Sequence, residues 1–239
     1  MFRRRQEGAM PQRLNEFGQP IGPALERWTP RPLPPDAPMM GRYCRIERLE
    51  ADRHAFDLFE AFHRASDGRD WTYLPNERPE TADAFEAHIR AIQTTRDPLH
   101  HTIIDLVTGK AVGSSAYMRL DPANGVIEIG HVRYSPHLIH TRAGTEAQYL
   151  FMRRAFEELG YRRYEWKCDA LNAASRRAAE RYGFTFEGIF RQAIVVKGRS
   201  RDTAWFSILD SDWPRIRAGF ETWLAPENFN ARGTQIRRL

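Results

Sequence analysis

Cysteine is nearly missing from this chain: Cys44 and Cys168 are the only two in 239 residues. Two thiols so far apart give neither a disulfide framework nor a metal-ligand spacing, so the expectation is a reduced, cytoplasmic protein without a metal. No apolar run approaches the ~18–20 residues that a membrane span needs. The opening stretch MFRRRQEGAMPQRLNEFGQPIG is basic but lacks the apolar segment of a signal peptide. Zinc-finger, homeodomain and RNA-motif signatures are absent. The net charge of +5, from 36 basic and 31 acidic side chains, therefore suits an anionic small molecule better than a nucleic acid. With no internal repeat and no low-complexity tract, the length fits one large domain or one domain with extensions.

What the chain does have is enough apolar content for a core, 41%. Its prolines are unevenly spread: eight of the fifteen fall in the first forty residues. Proline removes amide donors and blocks helix, so residues 1–40 read as an extended arm. Phe17, Ile21, Leu25 and Trp28 make it an arm expected to pack on the domain. From residue 41 the pattern turns regular. YCRIERL alternates as a strand. Residues 52–65 read as a helix with Phe56, Phe59 and Phe62 at helical spacing, and residues 82–92 as a second helix capped by Thr81. HTIIDLVTGKAVGSSAYMRL is two strands around Thr108 and Gly109, and VIEIGHVRYS is a third. A helix, the strand YRRYEWKCDA and another helix follow. A strand pair then turns at Lys197 and Gly198, and a closing helix starts at Ser211. This order predicts a mixed α/β (α+β) fold with helices on both faces of the sheet.

Two helix mouths carry the chemistry. Ala147, Leu150, Phe151, Ala155 and Leu159 fall at three- and four-residue steps, so the helix after residue 141 buries one face. Ahead of it and in its first turn stand His140, Thr141, Arg142, Ala143, Gly144 and Thr145. Free N–H groups and the positive end of the helix dipole suit a pyrophosphate there, with Arg142 and His140 adding charge. The plainer reading is a basic loop in which Thr141 or Thr145 caps the helix. In LNAASRRAAERYGF, Asn172 sits where an N-cap belongs, and Gly183 closes the helix. Asn172 can also bond an amide-rich chain, and Arg177 can reach a phosphate.

The succession of a strand, a helix containing Thr145-Glu146-Ala147, a second strand, the helix opened by NAASRRAAERYGF and then FEG resembles the GNAT acyl-CoA N-acyltransferases. Within them it is most similar to the branch with the ribosomal-protein N-terminal acetyltransferases. The resemblance covers residues 41–213, leaving 214–239 as the rest of a C-terminal helix and a basic tail. WTYLP at residues 71–75 matches the substrate loop, with Trp71 and Tyr73 as acceptor-site candidates. The resemblance implies a mostly antiparallel sheet whose middle strands, VIEIGHVRYS and YRRYEWKCDA, splay apart. It places pantetheine between them near Val132 and Tyr134, pyrophosphate on residues 140–145, Asn172 on the pantetheine arm and Arg177 near a phosphate. Acetyl-CoA or another acyl-CoA would be the co-substrate, a primary amine of a protein N-terminus, lysine or small molecule the acceptor, and a homodimer a common assembly. Two positions depart from the family pattern. Ile139 and Arg142 stand where the pyrophosphate loop usually has Gln or Arg and its first Gly, and Ala179 stands where many relatives have a tyrosine acid.

Amine acylation by a thioester needs orientation, proton removal, carbonyl polarisation and a donor for the leaving thiolate. Ser175 is the donor candidate in place of the missing tyrosine, and a backbone N–H near Val132 or Arg133 would polarise the carbonyl. Glu128, read by simple alternation on the face of Val132 and Tyr134, is the leading base, with Asp169 behind it. Cys168 shares a face with Tyr164 and Trp166 and reads as core. The competing readings are a non-catalytic CoA-binding module on the same fold and a basic protein that holds nucleic acid through turns such as KGRSRD.

Overall fold

The computed structural model describes residues 13–63, 67–231 and 233–239. They fall into two units, one ending at Pro30 and one running Arg31–Leu239. In the first, β1 (Arg13–Leu14) pairs antiparallel with β2 (Pro20–Ile21). The turn between them is held by Asn15, whose Oδ1 accepts from the amides of Phe17 and Gln19 at 3.0 and 2.9 Å. Residues 1–12 of the expected arm lie outside the described residues.

The second unit is one eight-stranded sheet with five α-helices. In chain order it contains β3 (Met39–Met40), β4 (Cys44–Arg48), α1 (Ala51–His63), α2 (Ala82–Ile92), β5 (Leu99–Asp105), β6 (Ala111–Asp121) and β7 (Val126–Tyr134). There follow α3 (Arg142–Arg153), β8 (Arg163–Asp169), α4 (Ala173–Arg181), β9 (Thr185–Val196), β10 (Arg199–Leu209) and α5 (Trp213–Leu224). The sheet order is β3-β4-β5-β6-β7-β8-β10-β9. Every neighbouring pair is antiparallel except β7 with β8. The mixed, mostly antiparallel sheet expected from the element order is therefore the one found.

Alternation along the strands sends neighbouring residues to opposite faces. Ile103 and Val112 join the core under α3 and α5, with Tyr117, Phe151, Tyr164, Phe206 and Phe220. Ile104 and Ala111 join a second core under α1 and α2, with Leu58, Phe62, Phe85 and Ile89. Helices thus cover both faces, and the α1–α2 face lies over β4, β5 and β6.

Two local expectations need correction. The Phe56, Phe59 and Phe62 spacing is not the buried stripe of α1: Phe62 is buried, but Phe56 is 71% exposed. Steps of three residues fall short of a 3.6-residue turn, so Phe56 and Phe62 point about 120° apart. Ala51, Ala55 and Leu58 supply the buried face instead. The end of this helix as expected, at 64–65, lies outside the described residues. Ser211 does not cap α5, where Asp212 occupies the cap position without a side-chain cap bond. Its Oδ2 turns back to the amide of Leu209 at 3.2 Å, and Pro214 in the first turn has no N–H to satisfy. The Thr81 cap is as expected, accepting from the amide of Ala84 at 3.2 Å.

One buried carboxylate ties α3 to the start of β4. Glu146 on α3 accepts from the amides of Arg42, Tyr43 and Cys44 at 2.7, 2.6 and 2.9 Å. Three amides at the start of β4 thereby find their acceptor in a helix a hundred residues away. Glu146→Ala would leave the buried amide of Cys44 and the part-buried amides of Arg42 and Tyr43 without their acceptor. The expected outcome is a loss of about 1–3 kcal/mol in urea unfolding, with Glu146→Gln losing less because one carbonyl oxygen remains.

Candidate active site

β7 and β8 pair only from Val126 opposite Arg163 to Ile129 opposite Trp166. Beyond that point β7 continues to Tyr134 with no strand on its β8 side, and a cleft opens between them. The local cause is a bulge. Gly130 faces Ala116 and Arg133 faces Ser114, so Ser115 stands opposite both His131 and Val132. His131 takes a left-handed φ of 49°, uncommon for a residue with a side chain. A bulge bends its strand and shifts the side-chain phase by one. Upstream, Ile127 and Ile129 face the α3 core; downstream, Val132 and Tyr134 do. His131 and Arg133 turn to the α1–α2 side. Simple alternation therefore fails here: Glu128 lies on the face opposite Val132 and Tyr134.

The mouth of α3 is built from its own side chains. Thr141 caps the helix, accepting from the amide of Gly144 at 3.0 Å. The amides of Arg142 and Ala143 come first in the helix and have no carbonyl one turn back to receive them. Gly144 is required by its surroundings rather than by an open approach, since a Cβ there would lie 2.4 Å from the carbonyl oxygen of Leu138. The Tyr134 phenol donates to the Gly144 carbonyl at 3.1 Å and accepts from Gln148 at 2.8 Å. Strand and helix mouth are thus tethered to each other. Thr145 is buried, and its hydroxyl accepts from Arg181 of α4 at 3.2 Å. His140 is exposed with φ 61°. The Arg142 guanidinium lies over Tyr43 and Phe229, 4.8 and 4.9 Å from the ring centres.

The second mouth follows the same pattern. Asn172 caps α4 by accepting from the amide of Ser175 at 3.0 Å, which leaves its Nδ2 outside the cap. The Ser175 oxygen accepts from the Trp166 indole at 3.0 Å. Arg177 is exposed and stands four residues before Arg181, on the same side of the helix. Arg181 ends α4 and reaches Thr145 in the first turn of α3, so the arginine side of α4 borders the α3 mouth. Asp169 is occupied in a turn, accepting from the amide of Leu171 at 2.8 Å. Cys168 is buried in the core, and burial pushes its thiol up while Ser175 pulls it back.

On the opposite face a cavity lies between α1, α2 and the strands β5, β6 and β7. His88, His100, His131 and Arg133 line it, with Phe62 and Trp71. Trp71 is buried and packs its ring against Arg133, whereas Tyr73 is 37% exposed and bonds the Leu171 carbonyl at 3.3 Å. Lys197, at the β9–β10 turn, donates to the Trp71 carbonyl at 2.9 Å. The loop expected to face the acceptor is therefore fastened at one end to the α4 mouth and at the other to the hairpin. Burial pushes His88, His100 and His131 below the ordinary histidine range, His100 to about 3. Glu128 is buried, held by Lys167 at 2.8 Å and Arg119 at 3.2 Å. Burial raises it and Lys167 opposes that rise. Lys167 also pairs with Glu165 at 2.7 Å and lies 3.8 Å above the Trp205 ring.

These histidines, Gln148, Arg181 and the side chain of Arg133 were not among the groups singled out from the sequence, which marked only a backbone amide at Arg133. Arg181 was within reach, one turn beyond Arg177 in RRAAER. The histidines come from three separate elements, and only folding brings them together.

Residues 45–185 match the acetyltransferase (GNAT) domain family. A GCN5-related N-acetyltransferase from Brucella melitensis is 50% identical, with a TM-score of 0.88 over 90% of this chain and 97% of its own. A probable GNAT-family acetyltransferase from Chromobacterium violaceum is 42% identical, with a TM-score of 0.76 over 82% and 98%. A ribosomal-protein-S5-alanine acetyltransferase from Vibrio fischeri shares the fold at 14% identity, with a TM-score of 0.58 over 74% and 99%. No curated protein sequence matches the chain. Among the described residues no helix is long and apolar enough to cross a membrane.

The buried histidines set a pH dependence. His100 and His101 are both pushed down to about 3, chiefly by burial. The unfolded chain, with histidines near 6.5, binds their protons first. Stability is then complete above about pH 6.5 and falls as pH drops toward 3, by about 1.4 kcal/mol per unit for each histidine. Urea midpoints measured from neutral pH downward should fall accordingly, and His101→Phe should flatten the slope.

Proposed function

The chain belongs to the GNAT acetyltransferase family, and from that premise we propose that it moves an acetyl group from acetyl-CoA, or a similar acyl from its CoA thioester, to a primary amine by direct attack. The observation that carries this reading is the unpaired edge of β7 beside β8, bordered by the mouth of α3 with its unspent Arg142 and Ala143 amides and by α4 with Asn172 and its arginines. An extended amide-bearing arm can take up the backbone groups near Val132 and Tyr134 that β8 leaves open. The amides of Arg142 and Ala143 suit a pyrophosphate, with Arg181 and Arg177 as nearby cations. Asn172 keeps a side-chain donor for the pantetheine arm.

The acceptor enters from the α1–α2 side. The amine nitrogen attacks the thioester carbon, the carbonyl oxygen draws on a β7 amide, and the C–S bond breaks toward CoA. Ser175, whose oxygen accepts from the Trp166 indole, is assigned as a hydrogen-bond donor to the departing sulfur, and the proton taken from the amine returns to the CoA thiolate through solvent. Proton removal from the amine falls to His131, which lines the acceptor cavity and is held neutral by burial. Glu128, clamped by Lys167 and Arg119, fixes the charge balance of the strand beneath. The acceptor is a small amine or a chain terminus narrow enough for that cavity.

Release of CoA thiol with a panel of primary amines tests the reading. Ser175→Ala should lower kcat about 10- to 100-fold while leaving acetyl-CoA affinity within about twofold, and His131→Asn should lower kcat about 100-fold. A larger loss in Glu128→Gln than in His131→Asn would move the proton acceptor to Glu128. A folded protein that binds acetyl-CoA but releases thiol with no amine would favour a binding module.

A further inference from the structure

Arg133 is in an unusual position for an arginine. It sits just past the β7 bulge, its side chain is 11% exposed, and it forms part of the acceptor cavity wall. Phe62 and Trp71 hold the guanidinium between them, each ring centre 3.7 Å from its central carbon. Both flat faces are therefore used, and only the edges can bind. Nε and Nη2 are buried and have no hydrogen-bond partner. These two donors form one edge of the guanidinium and project side by side, the spacing that a carboxylate's two oxygens match. The nearest acid, Asp70, stands 3.7 Å from Nη2, beyond hydrogen-bond reach. Buried donors left without acceptors are costly, and a ligand that supplies both oxygens relieves that cost.

We propose that the acceptor is an amine that also bears a carboxylate, such as an amino acid, and that the Nε–Nη2 edge of Arg133 binds the carboxylate while the amine faces His131. This deepens the acyl-transfer reading and rests on it. The rest of the cavity favours a monoanion over a phosphate: His88, His100 and His131 are kept neutral, so one guanidinium supplies the wall's positive charge. Asp70, close to the same edge, disfavours a second negative charge still further.

Two measurements test the site. Thiol release is followed with the common amino acids and with their carboxamides, which keep the amine and lose the anion. Calorimetry on CoA-loaded protein compares the N-acetyl amino acids with their N-acetyl carboxamides, and needs no turnover. The acids should be preferred in both. Arg133→Lys keeps a charge but not the paired edge, and should raise KM for the acids at least about tenfold with kcat within about threefold, leaving the amides unchanged. Asp70→Asn should retain the preference for acids. Equal use and equal binding of acids and amides, or an acid preference that survives Arg133→Lys, would overturn the proposal. Preferential binding of acids that Arg133→Lys abolishes, with no thiol release from any amine, would uphold the carboxylate site and reject acyl transfer.

Discussion

The β7–β8 ladder stops at Ile129 and Trp166, and every candidate functional feature of this protein depends on that stop. Backbone groups in a sheet centre are normally consumed by the next strand. Here the bulge at His131 and Val132 bends β7 away, so its β8-facing edge is left for another partner. The same bulge shifts the side-chain phase. It sends Val132 and Tyr134 to the α3 side and turns His131 and Arg133 into the acceptor cavity. One irregularity thus creates two compartments with β7 as their shared wall, which the proposed function assigns to an extended arm and a small polar molecule.

An open edge must be held open, or the strands would close on it. The tethers that do this are side-chain bonds reaching over long sequence distances. Tyr134 fixes the end of β7 to the Gly144 carbonyl. Glu146, two residues on, gathers three amides from the start of β4. Arg181 joins the first turn of α3 to the end of α4. On the opposite face, Lys197 and Tyr73 pin the loop that carries Trp71. The gap is consequently framed by side-chain bonds on both faces, an arrangement suited to orienting two reactants.

Much of this was legible from residue patterns because it is local. Helix α2 and its Thr81 cap and the Thr141 and Asn172 caps follow from spacing and capping chemistry, whereas α3, expected to bury one face, is buried all round from Gly144 to Met152. The family resemblance, carried by the Asn172 helix, added the splay of the middle strands. What was not legible is what depends on distant or irregular geometry. Nothing in EIGHVRYS announces that His131 adopts a left-handed φ, so period-two counting placed Glu128 on the wrong face. The orphan edge of Arg133 exists only because Phe62 and Trp71, from two other segments, close on its faces. Phe56 was misread for a simpler reason: a three-residue step alone does not follow a 3.6-residue helix.

Charge is distributed to match the two compartments. Arg142 opens α3 and Arg177 and Arg181 run along α4 toward it, while the cavity under α1 and α2 keeps its histidines neutral and carries a single guanidinium. Glu128 and Glu165 beside the cleft share Lys167, and Arg119 and Arg163 pair with one each. The central claim is that acyl-CoA lies along the open edge of β7 and across both helix mouths. Backbone hydrogen exchange with and without acetyl-CoA addresses it directly. The account predicts slowed exchange at residues 132–134, 140–143 and 172–173, with little change along β9. Protection confined to β9 and β10, or none near residues 132–143, would contradict it.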